Sequence, residues 1–237
     1  MAIKKAPEII NKIEVIWLGG NSFLANNERL PGKNTKAFTN GKPLCQYILN
    51  TLLKVKEIDE IYVYCSDPSI MLYLPKGIKF LKRDSRLDGS HVKINEVLTA
   101  FAKDIPSDVY VLAHATAPFI HKETIENGVK AVCEEGYDSA LSVHKQQDFF
   151  WMDEKPWNYD IKEIPRTQDL KPLYRETTGL YIYRNELITE EGRRIGDRPK
   201  LLETDWKEAV DINNPEDFVI ADAMFNYYRQ RGERIYE

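Results

Sequence analysis

The chain has 237 residues, of which 43% are hydrophobic and 30% are charged, a composition typical of a soluble globular protein. Its formal net charge of −4 argues against a nucleic-acid-binding surface. No apolar run approaches the roughly 18 residues of a membrane helix, and MAIKKAPEII lacks the apolar core of a signal peptide, so we expect a cytoplasmic protein without membrane contact. Cys45, Cys65 and Cys133 lie far apart in apolar contexts, which predicts free thiols rather than a zinc site.

Strand-like and helix-like segments alternate along the chain. Strands are predicted at 13–18, 61–65, 78–81, 109–113, 138–143 and 179–183, and helices at 43–55, 95–103, 122–135 and 215–228. Pro43 is expected in a first helical turn, and Asn214 as the cap of the last helix. This alternation indicates parallel βαβ units with right-handed crossovers. The expected fold is α/β, a doubly wound, mostly parallel sheet in one domain spanning residues 1–237.

The first predicted strand runs into a long polar loop, WLGGNSFLANNERLPGKN at residues 17–34. It is about twice the usual βα connection, and loops of that length are functional or disordered. Phosphates bind at the carboxyl end of such strands, where loop amides and a helix N-terminus face them. Arg29 and Lys33 would add positive charge. The alternative is a solvated loop with an ordinary turn at Pro31 and Gly32.

The regular order breaks between His144 and Tyr174, a stretch rich in prolines and large aromatic residues. Phe149, Phe150, Trp151 and Trp157 follow no clean period. Because large aromatics in irregular segments are common interface anchors, we expect them to meet a partner subunit. A loop packed back on its own domain is the alternative.

Five segments occur in an order that resembles the acylneuraminate cytidylyltransferases, which make CMP-sialic acid and related CMP-activated sugar acids. They are LPGKN, TAP, DSALSV, PRTQDLKPLYRETTGLYIY and DINNPEDFVIA, and the resemblance extends from Ile13 to about Ala223. It implies a nucleotide-diphospho-sugar transferase-like, Rossmann-like fold and transfer of CMP from CTP to a 2-keto sugar acid with release of pyrophosphate. It also implies a homodimer in which a small excursion, residues 144–175, helps to cover the partner's sugar pocket.

The same resemblance implies a nucleotide site at the first loop and at the ends of two later strands. Gly19 occupies the family's arginine position, and because FLANNE at 23–28 is an insertion, Arg29 is expected to supply the missing charge. His114 replaces a glutamine and Ala117 a serine, so protonation of His114 is expected to matter near pH 6 to 7, roughly its ordinary pKa. For Arg83 a solvated surface arginine is the alternative. The implied nucleotide contacts are Gly19, Gly20, Asn21, Ser22, Arg29, Lys33, Asn34, Arg83, His114 and Thr116, with Arg29, Lys33 and Asp211 as the catalytic set.

Asp211 and Asn213 match the family's magnesium-binding Asp-x-Asp, with an amide in place of the second carboxylate. Because Mg²⁺ usually takes one or two carboxylates plus phosphates and water, we expect a weaker metal site before nucleotide binds. The sugar acid is expected to contact Arg166, Gln168, Tyr174 and Arg175. A guanidinium suits the substrate carboxylate by bidentate hydrogen bonding, and a structural salt bridge is the alternative use of one of the two arginines.

Two other functions explain the departures at Gly19, His114 and Ala117, and the second of them also explains the one at Asn213. The first is a nucleotidyltransferase of the same fold with a different sugar or triphosphate. The second is a catalytically silent nucleotide- or sugar-binding relative. Retention of Lys33, Asp211 and the sugar-acid stretch favours the enzyme.

Overall fold

The computed structural model describes residues 12–18, 30, 32–89 and 91–236. Within these residues the strands are β1 (Ile13–Leu18), β2 (Glu60–Cys65), β3 (Lys79–Lys82), β4 (Val109–His114), β5 (Ser139–Gln146), β6 (Trp151–Met152), β7 (Lys155–Pro156), β8 (Leu173–Arg184) and β9 (Pro199–Thr204). The α-helices are α1 (Cys45–Leu52), α2 (Ile94–Asp104), α3 (Lys122–Cys133), α4 (Asn185–Thr189) and α5 (Pro215–Gln230). Short 3-10 helices lie at Pro68–Tyr73, Ser85–Asp88 and Thr167–Asp169.

Seven of the described strands form one sheet in the order β3-β2-β1-β4-β8-β5-β9. The pairs β1–β2, β1–β4, β2–β3 and β5–β9 are parallel, whereas β8 is antiparallel to both β4 and β5. The predicted mostly parallel α/β sheet is therefore confirmed. Six strands end at one edge of the sheet, and β8 begins at that same edge.

Helices cover both faces of the sheet, as the doubly wound prediction requires. On one face α1 and α3 pack on apolar side chains of β2, β4 and β8. On the other, α2 and α4 pack on a second cluster that contains Tyr110, Tyr181 and Tyr183. At Gly128 of α3 a built Cβ would lie 2.4 Å from Ile182 Cδ1. The absence of a side chain at Gly128 thus lets α3 pack closely on the sheet, and a larger residue would require Ile182 and Leu202 to shift.

The C-terminal helix α5 packs on a third cluster that holds the chain just after the first loop. The ring of Phe38 lies 5.0 Å from those of both Tyr47 and Phe218, and Tyr47 lies 5.4 Å from Phe225. Asn214 is the N-cap of α5, as predicted, and its backbone N–H donates to Asp217 Oδ2 at 2.8 Å. Because residues 36–47 pack on α5, Lys33 is held close to the residues that precede this helix.

Three features of the sheet and helices differ from the sequence prediction. Helix α1 begins at Cys45, after Pro43, which forms a bridge with Ala37. The strand β9 and the five-residue helix α4 were not foreseen. β9 has a weak sequence signal because it is an edge strand whose apolar residues, Leu201 and Leu202, stand between charged ones. Among the described helices none is long and apolar enough to cross a membrane.

The two ends of the excursion lie next to each other, because they belong to the paired strands β5 and β8. Gln146 of β5 pairs with Leu173 of β8, so residues 144–146 and 173–175 of the predicted excursion belong to these strands. The residues between them carry the β6–β7 hairpin, on which Trp151 is 56% exposed. Other large apolar side chains exposed here are Met152, Trp157, Ile161 and Ile164. The predicted contact with a partner subunit stays a prediction.

Candidate functional site

The candidate site lies where six strands of the sheet end and β8 begins. Of the predicted residues, Gly19, Gly20, Asn21, Ser22 and Arg29 lie outside the described part of the chain, as does the insertion at 23–28. The remaining candidates are all described. Several meet at the connection between β9 and α5, residues 205–214, which we call the β9–α5 segment.

Lys33 and Thr116 both contact Ile212 of the β9–α5 segment. The Lys33 side chain is only 8% exposed, and its Nζ donates to Ile212 O at 3.0 Å. The backbone N–H of Ile212 donates to Thr116 O at 2.9 Å. Asn34 O accepts from the Cys45 backbone at 2.8 Å, which connects this turn to the start of α1. A buried ammonium is thus held at the strand ends, where phosphate charge could be neutralised.

Asp211 and Asn213 form the pair predicted to hold a metal. Asn213 Nδ2 donates to Asp211 Oδ2 at 2.6 Å, and the Asn213 backbone N–H donates to Asp217 Oδ2 at 2.8 Å. The described residues contain no group of three or more His, Cys, Asp or Glu side chains placed to hold a metal ion. One carboxylate and one amide oxygen still fit Mg²⁺, because this ion keeps several waters and takes its other ligands from substrate phosphates.

A third residue at this pair, Thr178, was not foreseen from the sequence. Its hydroxyl lies 3.4 Å from Asp211 Oδ2, and its φ is +60°, a left-handed conformation that is unusual for a β-branched residue. Such outliers persist only where the surroundings hold them, and they concentrate at functional sites. The sequence signal was the Thr-Thr-Gly interruption within an otherwise strand-like stretch, since an isolated glycine in a strand indicates a bulge.

The bulge in β8 that contains Thr178 contacts Ser142 of β5 and Ala117 of the loop after β4. The β5–β8 register shifts between Leu141 and Val143, opposite residues 177–180. The fully buried Ser142 hydroxyl lies 2.6 Å from Thr177 Oγ1 and accepts from the Leu180 N–H at 3.2 Å. A Cβ at Gly179 would lie 2.6 Å from Ala117 Cβ, so only glycine fits there. Ala117 therefore contributes close packing at the position where the family has a serine.

His114 is the last residue of β4 and faces a polar cluster that the sequence did not reveal. Its ring lies 6.5 Å from that of Tyr181, and the Arg194 guanidinium lies 4.2 Å from the Tyr181 ring centroid. The Tyr181 hydroxyl donates to Glu176. Burial, and then the positive charges of Arg194 and Lys33, lower the pKa of His114 to about 4 against the opposing effect of Asp211. The expected titration near pH 6 to 7 is therefore wrong, and the imidazole is neutral at pH 7.

Arg83 is a buried ion-pair residue rather than a solvated one. Its side chain is 3% exposed, and it donates to Asp88 Oδ1 from Nε at 3.1 Å and from Nη2 at 2.6 Å. Nη1 lies 3.5 Å from Tyr64 O. The surface alternative is thus wrong. Arg83 follows the end of β3 and contributes to the structure of the strand-end edge, and its contact with nucleotide stays a prediction.

The two predicted sugar-acid arginines differ in their surroundings. Arg166 is 74% exposed and directs its fork at Asp169, with N–O distances of 2.7 and 3.0 Å, which is the salt-bridge alternative. Arg175 on β8 donates to Ala209 O of the β9–α5 segment at 3.3 Å. Tyr174 is exposed, and Gln168 O lies 3.5 Å from Gln147 Nε2. The structure thus brings Arg175 to the segment that carries Asp211, whereas Arg166 is paired within its own turn.

A mostly parallel α/β sheet with a buried lysine and a carboxylate–amide pair at its strand-end edge is an arrangement that suits a phosphate-containing ligand. A family model described as cytidylyltransferase matches residues 25–231, and the chain belongs to the cytidylyltransferase family. The predicted resemblance to the acylneuraminate cytidylyltransferases is confirmed, at about 25% identity. The matched relatives are N-acylneuraminate cytidylyltransferase A of Danio rerio, 25% identical over 84% of this chain, and N-acylneuraminate cytidylyltransferase of Oncorhynchus mykiss, 26% identical over 84%.

The chain spans about half the length of these relatives, 49% and 48% respectively. A different cytidylyltransferase is matched over more of its length. It is the 2-C-methyl-D-erythritol 4-phosphate cytidylyltransferase of Clostridium botulinum, 30% identical over 79% of this chain and 88% of its own. Among solved structures, a CMP:2-keto-3-deoxy-manno-octonic acid synthetase complexed with CTP has a TM-score of 0.68 at 16% identity, covering 92% of this chain and 99% of that one. The 4-diphosphocytidyl-2C-methyl-D-erythritol synthase of Anaerococcus prevotii has a TM-score of 0.64 at 15% identity, covering 91% and 96%.

Proposed function

We propose that this protein transfers CMP from CTP to a hydroxyl of a 2-keto sugar acid and releases pyrophosphate. The observation that carries the proposal is that Lys33 and Arg175 both donate hydrogen bonds to the β9–α5 segment, which contains Asp211. This arrangement supplies one cation for phosphate, one carboxylate beside the reacting centre and one guanidinium for a substrate carboxylate. The relatives that act on acylneuraminate support this assignment of the second substrate.

The reaction is an in-line displacement at the α-phosphorus of the triphosphate. A sugar hydroxyl forms the new P–O bond, the bond to the β-phosphate bridging oxygen breaks, and the hydroxyl proton passes to solvent or to a nearby carboxylate. Lys33 is proposed to neutralise phosphate charge, and Asp211 is proposed to lie beside the attacking hydroxyl and the phosphates. Mg²⁺, which Asp211 and Asn213 would hold, neutralises further phosphate charge when bound. Arg29 is proposed as a second cation at the triphosphate.

The nucleotide base is proposed to contact His114 in its neutral form. A neutral imidazole offers one donor and one acceptor, whereas a protonated one offers two donors. Because the pKa of His114 lies at about 4, the same pattern is presented throughout the neutral pH range. Asn34 and Thr116 border the same strand ends as Lys33, and so do the glycines and polar residues predicted in the first loop.

The sugar acid is proposed to lie over Arg175 and Tyr174 at the start of β8, beneath the excursion. The exposed aromatic side chains of the excursion would be covered by a second copy of the chain in a homodimer. In such a dimer Arg166 and Gln168 could serve the partner's pocket, which fits the absence of any contact from Arg166 to the β9–α5 segment among the described residues.

A second candidate substrate is a phosphorylated polyol. It is favoured by the Clostridium botulinum relative, which is 30% identical to this chain and is covered over 88% of its own length. The nucleophile is again a hydroxyl, but the charged group to be recognised is a phosphate instead of a carboxylate. The nucleotide side of the site would be the same for both.

A pyrophosphate-release assay over all four nucleoside triphosphates tests the proposal. Each triphosphate is combined with a panel of 2-keto sugar acids and with 2-C-methyl-D-erythritol 4-phosphate, with and without Mg²⁺. We expect release with CTP and a sugar acid, and none from an Asp211→Asn variant. Release with the polyol phosphate alone would favour the second candidate. Measurable triphosphate binding without release from any pair would identify a silent relative.

A further inference from the structure

The β9–α5 segment is connected to five other parts of the molecule. Arg175 of β8 contacts Ala209 O, Lys33 contacts Ile212 O, and the Ile212 N–H contacts Thr116 O. At the far end, the N–H groups of Asn213 and Asn214 both donate to Asp217 at 2.8 Å. The proposed contacts to phosphate and to sugar acid therefore share one short stretch of backbone, and its position sets the distance between them.

The fifth connection is made by Glu208, a carboxylate that is only 5% exposed. Glu208 Oε2 accepts from the His121 backbone N–H at 2.9 Å and from Thr124 Oγ1 at 2.6 Å, and Oε1 lies 3.4 Å from His121 Nδ1. These groups lie at the N-terminus of the twelve-residue helix α3, whose dipole favours a negative charge. Burying a carboxylate is costly, and its bonds to α3 offset that cost.

Glu208 and Ala209 belong to one turn, which is held by hydrogen bonds to Asp205. Asp205 Oδ1 accepts from the N–H groups of both Lys207 and Glu208 at 2.9 Å, and the Ala209 N–H donates to Asp205 O at 3.1 Å. Fixing the Glu208 side chain on α3 therefore fixes the Ala209 carbonyl. Ile212 has its own support from Thr116, so the Lys33 end of the segment does not depend on Glu208 in the same way.

We propose that Glu208 is a positioning residue for nucleotide transfer. By holding the β9–α5 segment against the start of α3, it places Ala209 O so that Arg175 is aimed at the sugar acid. This proposal rests on the proposed function for the identity of the second substrate. It assigns Glu208 no contact with either substrate, so its effect should appear on the sugar-acid side.

Kinetics of Glu208→Ala with each substrate varied in turn test this role. We expect the KM for the sugar acid to rise about 10-fold or more and kcat to fall, because displacements of about 1 Å at a reacting centre are costly. The KM for CTP should stay within about twofold, since Lys33 and Ile212 keep their contacts. Glu208→Gln should restore most of the loss because its amide oxygen still accepts from α3. Thr124→Ala should shift the sugar-acid KM in the same direction by less.

Glu123→Ala is the matched control. Glu123 is an exposed carboxylate in the same first turn of α3, where it pairs with Arg234 and does not contact the β9–α5 segment among the described residues. The substitution removes the same charge from the same helix end, and all kinetic constants should stay within about twofold. Equal sugar-acid shifts in Glu123→Ala and Glu208→Ala would assign the effect to helix charge and overturn the proposal.

Amide hydrogen exchange tests the same proposal without any substrate. In folded Glu208→Ala, or in Thr124→Ala if that variant does not fold, the amides of Ala209 and Val210 should exchange faster than in the wild type. The Ile212 amide, bonded to Thr116, should change less. Unchanged exchange at Ala209 and Val210 would overturn the positioning role even if the wild-type chain transferred no nucleotide. Absence of transfer by the wild type would count against the proposed function alone.

Discussion

Replacing Ser142 with alanine should destabilise the protein and displace Thr178 at the candidate site. The Ser142 hydroxyl is fully buried and accepts from the Leu180 N–H at 3.2 Å within the β8 bulge. Without it this N–H is buried and unpaired. Thr177 loses its 2.6 Å contact but still donates to Ser142 O at 3.1 Å. One orphaned donor and one lost hydrogen bond together cost about 2–3 kcal/mol.

Thermal unfolding measures this cost. For a chain of this length 1 kcal/mol lowers Tm by about 2–4 °C, so Ser142→Ala should lower it by about 4–12 °C. Because the bulge also places Thr178 beside Asp211, kcat should fall at temperatures where the variant is fully folded. The direction of both effects follows from the same hydrogen bonds.

Ser66→Ala provides the matched control for the loss of a hydroxyl. Ser66 Oγ is also buried, but it has no hydrogen-bond partner among the described residues. Removing a buried group that makes no bond should leave Tm unchanged or raise it slightly. Equal losses of Tm in the two variants, or an unchanged Tm in Ser142→Ala, would refute the assignment of the bulge's stability to the Ser142 hydroxyl.

Three further predictions concern the site. Lys33→Ala should lower kcat/KM for CTP by about 100-fold or more, because a buried cation proposed to contact phosphate is lost. The control Lys36→Ala removes an exposed lysine and should change kcat/KM by less than about twofold. Similar losses in the two variants would refute the role of Lys33. Asn213→Asp should tighten Mg²⁺ binding in a calorimetric titration, because a second carboxylate would face the metal. Without metal the same variant should have a lower Tm, because two carboxylates would then repel each other. An unchanged Mg²⁺ affinity would place this side chain away from the metal. His114 has a folded-state pKa below its unfolded value, so the unfolded chain binds more protons and stability falls as pH drops from 6.5 towards about 4. Urea titrations at pH 7 and pH 5 measure the free energy of unfolding, and its decrease between these pH values should be about 1–3 kcal/mol smaller in His114→Gln than in the wild type. An identical pH dependence in the two proteins would refute the lowered pKa of His114.

Patterns that depend on neighbouring residues were predicted well. Five strands in the first 143 residues, the helices that separate them and the Asn214 cap follow from local apolar periodicity and capping chemistry, and the structure has them. Lys33 and Asp211 are predicted as site residues because they stand in segments that resemble a known family, and their roles stay predictions.

Contacts between distant segments could not be predicted. The antiparallel direction of β8 depends on the excursion that precedes it, which has no period of its own. Glu208 looks like any surface glutamate in the sequence, and only the fold brings it to α3, 84 residues away in the chain from Thr124. The pKa of His114 is also a tertiary effect, because burial and the approach of Arg194 determine it.

The reversed direction of β8 has a consequence for how new substrate ranges can arise in this fold. Because Gln146 and Leu173 are paired, the excursion leaves and re-enters the sheet at one point, and its length can change without moving any strand of the seven-stranded sheet. The strand ends that are proposed to hold the nucleotide lie outside that insertion. Residues 147–172, which include Arg166 and Gln168, could therefore be exchanged between relatives as a unit, changing part of the proposed acceptor contacts while Arg175 and the nucleotide contacts are kept.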